Sequence, residues 1–176
     1  MFKTHVVAGA LTGIGTYMLL APDTSIADNI LVGGMAIGGA MFGSMFPDID
    51  TENSKLGRRV PIIPTVIRTI FGHRGMTHSL FFAVVMCALF WFLGDKYLDP
   101  SIFHYLRYGI VGFFFGFISH LVLDMITYEK IPLFYPFQSK KDGYALYLVE
   151  TDSFGELIFR WAMILGAFYL FFKDFI

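Results

Sequence analysis

Charged residues in this chain stand far apart. Nineteen residues without a formal charge separate Lys3 from Asp23, and nineteen more separate Asp28 from Asp48. Twenty lie between Arg74 and Asp95. Sixteen lie between Arg107 and Asp124, and this run extends upstream through His104 and Tyr105. A last apolar segment, Leu157 to Phe172, is interrupted by Arg160 near its start. A helix needs about 20 apolar residues to cross the hydrocarbon core of a bilayer. Strands of a membrane barrel would be shorter and alternating, and these runs are neither. The spacing therefore predicts an all-α, polytopic membrane helix bundle with four to five transmembrane helices, in a single domain over residues 1–176.

Composition excludes the main rivals. Apolar residues make up 56% of the chain and charged residues 15%, against roughly 25% charge in an ordinary soluble domain. Too few polar groups remain to cover a water-soluble monomer. Disorder and nucleic-acid binding through a basic surface are excluded on the same ground, so no nucleic-acid partner is expected. The single cysteine, Cys87, lies inside an apolar run and has no internal partner for a disulfide. Residues 1–22 have the outline of a signal peptide, but the basic region is weak and Ala21-Pro22-Asp23 is a poor cleavage site. They are read as the first span.

Glycines four apart, Gly9 and Gly13, Gly34 and Gly38, Gly39 and Gly43, Gly112 and Gly116, suit close helix packing in lipid. Lys and Arg set the orientation. With five spans, one side holds nine of them: Lys3, then Lys55, Arg58, Arg59, Arg68 and Arg74, then Lys130, Lys140 and Lys141. The other side holds three: Lys96, Arg107 and Lys173. Arg160, inside the fifth span, is left out of the count. Nine against three places the N-terminus in the cytoplasm. Two cytoplasmic loops follow. In the first, Val60 to Ile70 has the apolar character of a segment lying along the interface. In the second, Asp142-Gly143 between apolar runs suggests a hairpin or lid.

Ionisable groups at the ends of spans are costly and mark function by default. His5 opens the first span. Asp48 and Asp50 close the second. His73 and His78 open the third. His120 and Asp124, near the end of the fourth, are four apart and so share one face of a helix. The charge rule brings all seven to the cytoplasmic leaflet, while His104 falls at the opposite end. Taken singly, a histidine at a helix end is an ordinary interfacial residue, and paired loop acids balance nearby arginines. Co-location of seven is what points to a metal site. A mixed imidazole and carboxylate set suits Zn, Mn or Fe better than Ca or Mg, and seven groups exceed the needs of one tetrahedral ion. One or two ions are expected, Asp124 being placed to bridge a pair.

Thr4-His5, Pro47-Asp48-Ile49-Asp50, Ser54 with Leu56-Gly57-Arg58-Arg59, Gly72-His73-Arg74-Gly75 with Thr77-His78-Ser79, and Ser119-His120 with Leu123-Asp124 and Thr127 carry a further signal. So do Pro132-Leu133, Tyr135-Pro136-Phe137, Thr151, Ser153 and Glu156. In this combination the chain resembles the YdjM-like family of membrane-bound, metal-dependent hydrolases, over nearly its whole length. Asp152 departs from the pattern, where glycine is expected. The family is more remotely similar to zinc-dependent phospholipase C and P1-type nucleases. The resemblance implies metal binding by His5, by one or both of Asp48 and Asp50, by one or both of His73 and His78, and by His120 and Asp124. It also implies phosphoester hydrolysis.

Metal-activated water is the expected nucleophile. Arg74, beside His73, is a candidate contact for a phosphate, with membrane topology as its competing role; Arg58 and Arg59 are weaker candidates. Glu156 and Asp152 are candidates for a general acid or for outer partners of the metal, and acid capping of the fifth helix competes with that reading. A site at the lipid boundary favours a phospholipid or lipid-linked phosphoester. Two other classes remain: a scaffold whose metal only ties helices together, and a metal transporter. Spans one to three hold almost no polar residues near the midplane, which disfavours a transport path.

Overall fold

The computed structural model describes residues 1–20, 25–50, 75–128 and 130–172. Within them five long helices form, α1 (Phe2–Leu20), α2 (Ile26–Met45), α3 (Leu80–Tyr97), α4 (Pro100–Ile126) and α5 (Phe154–Phe172). The all-α architecture and the number of long helices follow the sequence expectation. Three stretches, Ile26–Asp50, Leu80–Tyr97 and Pro100–Ile126, are long and apolar enough to cross a membrane, with mean hydropathies of 1.5, 1.6 and 1.9. The fourth helix is longer than its uncharged core, 27 residues against 16, because Asp99 caps it upstream and Pro100 occupies its first position. Ser25 and Ser79 cap α2 and α3 in the same way, through Asp28 N and Phe82 N.

α2 and α4 form the central pair, α1 lies against both, α3 packs on α4, and α5 meets the bundle through α1. Glycine sets the spacing of the central pair. A side chain at Gly39 would fall on the Gly109 carbonyl, and one at Gly43 on the carbonyl of Phe113. From the other side, Gly112 meets the Ala36 carbonyl and Gly116 that of Ala40. Gly9 and Gly13 bring α1 equally close to α2. Three of the four predicted glycine pairs therefore sit at backbone contacts, and Gly34 with Gly38 faces open space. Beside the central pair, Ala83, Phe113, Phe117, Leu121 and Ile131 form the apolar core, with Phe46, Phe82 and Phe90 against it. Large apolar side chains on α3, such as Phe92 and Trp91, point outward, as a helix solvated by lipid requires.

Residues 130–149 return beneath α4. A single antiparallel bridge joins Ile131 to Tyr144 across a 3-10 turn at Lys140–Asp142, so the predicted hairpin is one bridge rather than a ladder. Its second arm closes the end of α4: Leu146 N donates to Met125 O at 2.6 Å, Leu148 N to Ile126 O at 2.9 Å and Tyr147 N to Thr127 O at 3.3 Å. These are carbonyls that a helix end leaves without internal donors. Val60 to Ile70, His73, Arg74, Arg58 and Arg59 lie outside the described residues.

Candidate metal centre

Four separate stretches of chain deliver the ionisable groups to one end of the bundle. His5 lies in the first turn of α1, Asp48 and Asp50 in the 3-10 turn Pro47–Asp50 after α2, and His78 in the 3-10 turn Met76–His78 before α3. His120 and Asp124 occupy the last two turns of α4. Asp124 is the hub. Its Oδ1 is 3.2 Å from His5 Nε2, and its Oδ2 is 3.3 Å from His120 Nε2 and 3.6 Å from His78 Nε2. Asp48 Oδ1 is 4.0 Å from His120 Nε2. The His5 ring stacks on that of His120 with centroids 4.0 Å apart. His78, His120 and Asp124 each offer an atom within 4.8 Å of the others, and so do His5, Asp48 and His120. Exposure falls to 0% at His78 and His120 and 3% at Asp124, whereas the Asp48 side chain is 25% exposed.

The hydrogen bonds around this cluster fix where the ring protons sit. His120 Nδ1 lies 2.7 Å from the Ser44 carbonyl oxygen. A carbonyl only accepts, so Nδ1 carries the hydrogen and Nε2 of a neutral ring presents its lone pair toward Asp124 and Asp48. His78 is set in the same way at one remove. The Thr77 hydroxyl gives its one proton to Asp50 Oδ2 at 2.9 Å. At its 3.1 Å contact with His78 Nδ1 it must then accept, which leaves His78 Nε2 as the acceptor facing Asp124. Lone pairs of two neutral imidazoles would thus turn toward one carboxylate, an arrangement that a proton on a ring Nε2 or a bound metal cation relieves. Among the described residues, His120 Nε2, Asp124 Oδ2 and His5 Nδ1 are buried with no hydrogen-bond partner. A histidine that ligates metal through one nitrogen and donates its other N–H to a carbonyl or a carboxylate relay is the recurring pattern of such sites. On these observations the residues fit a divalent metal ion.

Asp50 belongs to neither of the two groups. Its carboxylate is 3.6 Å from His78 Nδ1 and takes the Thr77 hydroxyl, so it acts on the ring that faces the centre. Glu156, also buried, accepts from the Thr4 hydroxyl and from Asp152 N at 2.8 Å, and lies 3.2 Å from the Met1 amino group. Ser153 accepts from Glu156 N in return. This reciprocal arrangement resembles a capping box, and it ties the start of α5 to the turn of α1 that carries His5. Asp152 has φ 58°, the left-handed region that glycine occupies without cost, and glycine was the residue expected there. At the other end of the bundle His104 contacts Arg107 at 2.7 Å.

Two contributors were not named from the sequence, the Ser44 carbonyl and Thr77 as a relay. Ser44 carried one signal: it falls within the last four residues of α2, whose carbonyls need donors from elsewhere.

A family model described as YdjM inner membrane protein matches residues 1–174. The uncharacterized protein YvsG of Bacillus subtilis is 35% identical over 174 residues, covering 98% of this chain and 95% of that protein. The inner membrane protein YdjM of Escherichia coli is 36% identical over 98 residues, covering 55% of this chain and 47% of its own length. The inner membrane protein YbcI of Escherichia coli is 27% identical over 124 residues, or 70% of this chain and 59% of its own. No solved structure matches.

Proposed function

We propose, from the premise that this chain belongs to the YdjM family of inner membrane proteins, that it is a membrane-embedded, metal-dependent hydrolase of phosphoester bonds in a lipid-borne substrate. The observation that carries this reading is the convergence of His5, Asp48, His78, His120 and Asp124 in two overlapping ligand groups at one end of apolar helices. The excess of Lys and Arg on that side of the sequence supports a cytoplasmic-leaflet position for it. A divalent cation, zinc in the first instance, would supply Lewis acidity toward a phosphoryl oxygen and acidify a water.

The chain's own groups do the rest. Ser44 and the Asp50–Thr77 pair hold two rings with their Nε2 atoms inward. Asp124 spends both oxygens among three rings. Asp48 is the most exposed described member of the cluster, and in this reading it would take a proton from a water entering at the rim. Glu156 holds the turn that bears His5 and acts on the centre by position. Two overlapping groups leave room for one ion or two. A second reading, a metal that only fastens helices, is favoured by the origin of the donors in four separate chain segments.

Elemental analysis of the purified protein, with hydrolysis assays on a phosphatidate and an isoprenoid phosphate, tests both. Bound metal and metal-dependent turnover, both lost in His120→Ala, are expected. Bound metal that raises thermal stability without turnover would select the scaffold. A protein that binds no metal at all would end both readings.

A further inference from the structure

A second polar feature lies at the same end. The first turn of α1 and the first two turns of α5 border a cleft of about 600 Å³, whose polar lining includes Lys3, Arg160, Asp152 and Glu156. Phe2, Phe154 and Leu157 complete its walls with apolar surface. The acids there are already committed. Glu156 is bonded by the Thr4 hydroxyl and the Asp152 amide, and both carboxylates lie 3.2 Å from the Met1 amino group. Among the described residues, Lys3 and Arg160 make no hydrogen bond or ion pair. Two cations without anionic partners therefore share one cleft with an apolar flank. Arg160 stands four residues after Glu156, and Lys3 two before His5.

We propose that this cleft binds a phosphate group between Lys3 and Arg160, the head of an anionic amphiphile whose chain lies against Phe154 and Leu157. The choice of phosphate over other anions rests on the phosphohydrolase reading above. Arg supplies a planar fork suited to phosphate oxygens and Lys a movable point charge. An apolar flank suits an acyl or isoprenoid chain, and a position at the membrane surface lets such a ligand enter from the leaflet. Lys and Arg that merely snorkel to the headgroup level would attract anionic lipid without a saturable site, and this difference is measurable.

The full chain, in discs of phosphatidylcholine with a chelator present to prevent turnover, is titrated with inorganic phosphate and with dihexanoyl phosphatidate. Lys3→Gln/Arg160→Gln is compared with wild type and with Lys3→Arg/Arg160→Lys. The expected result is saturable one-to-one binding, weakened about tenfold or more in the Gln pair, or about 1.4 kcal/mol, and retained in the conservative pair. Tighter binding of phosphatidate than of phosphate assigns the lipid source; equal binding assigns free phosphate, keeps the phosphate site and removes the amphiphile. Equal binding by the Gln pair and wild type overturns the proposal, as does non-saturable uptake in all three. Metal content of the Gln pair, measured before the chelator is added and matched to wild type, reports that it is folded. Charge-dependent binding in a protein without turnover would support the cleft while ending the hydrolase reading, so the two fail separately.

Discussion

Replacing Gly116 by alanine tests whether helix spacing sets up the candidate metal centre. Gly116 lies one turn before His120 on α4, and Ala40 lies one turn before Ser44 on α2. The backbone contact of Gly116 with Ala40 thus sits about 6 Å below the bond between His120 and Ser44. An alanine side chain at 116 would fall on the Ala40 carbonyl oxygen and its carbon. Backbone cannot move aside as a side chain can, so α2 and α4 must separate by roughly 1 Å, at an overpacking cost of about 1–3 kcal/mol. The same shift takes the 2.7 Å contact of His120 Nδ1 with Ser44 O beyond hydrogen-bond reach. Loss of such an outer bond lowers metal affinity about 10–100-fold. Gly38→Ala is the control, because nothing lies within 4 Å of a side chain there, and it gains helix propensity of up to about 1 kcal/mol. Thermal unfolding in detergent and metal competition against a chromophoric chelator measure both effects. At roughly 2–4 °C per kcal/mol, Gly116→Ala loses several degrees and Gly38→Ala loses none. If the two variants bind metal equally well, close packing does not position His120 and the reasoning fails.

Thr77→Val removes the hydroxyl that links Asp50 to His78, and metal affinity should fall about tenfold or more; Thr77→Ser should restore it, and a valine variant with native affinity would refute the relay. Asp152→Gly relieves a left-handed backbone at φ 58° and should raise stability by up to about 1 kcal/mol, read as a higher unfolding temperature; a clear fall would show that the carboxylate matters more than the backbone. Because imidazole ligands must shed protons to bind, metal should be retained through dialysis near pH 8 and released near pH 5, as measured by elemental analysis. Free metal at 100 times its dissociation constant should add about 2.7 kcal/mol to stability, so chelation should lower the unfolding temperature of wild type and leave His120→Ala unmoved.

Hydropathy and charge counting located the site because each of its residues stands at the end of an apolar run. Once α1, α2, α3 and α4 alternate in direction, His5, Asp48, His78 and Asp124 must share an end, whatever the packing details. The family resemblance adds the same residues by motif. Glycine spacing pointed to close packing without saying which pairs meet: Gly39, Gly43, Gly112 and Gly116 interlock, while Gly34 and Gly38, identical in spacing, meet nothing among the described residues. Periodicity names a stripe, and only the partner helix decides whether it is used. The Ser44 carbonyl was beyond reach because every residue carries one. Thr77 gave an ambiguous signal, since a Thr two residues before a Ser at a helix start offers a second candidate cap, and here Ser79 does the capping and Thr77 the relaying. Glu156 was read both as an acid and as a cap, and its geometry favours the cap, which also reaches Thr4.

The two ends of the bundle hold the same kinds of residue in opposite circumstances, and the contrast bears on function. At one end His104 is exposed beside Arg107, and Asp99 caps a helix in contact with Ser101. Water and headgroups solvate them, and no ligand is needed to explain them. At the other end His78, His120 and Asp50 have no exposed surface, and Asp124 has almost none. Burying such groups costs several kcal/mol apiece unless each is paired. The protein supplies part of the pairing through Ser44, Thr77 and Asp50, yet those bonds turn the remaining lone pairs toward a carboxylate instead of away from it. A chain selected only to sit in a bilayer would do better with leucine at these positions. Retaining five or more ionisable groups in that enclosure makes physical sense if a cation completes it, and on the proposed hydrolase reading the Asp48 side, 25% exposed, is where such a cation would meet a substrate.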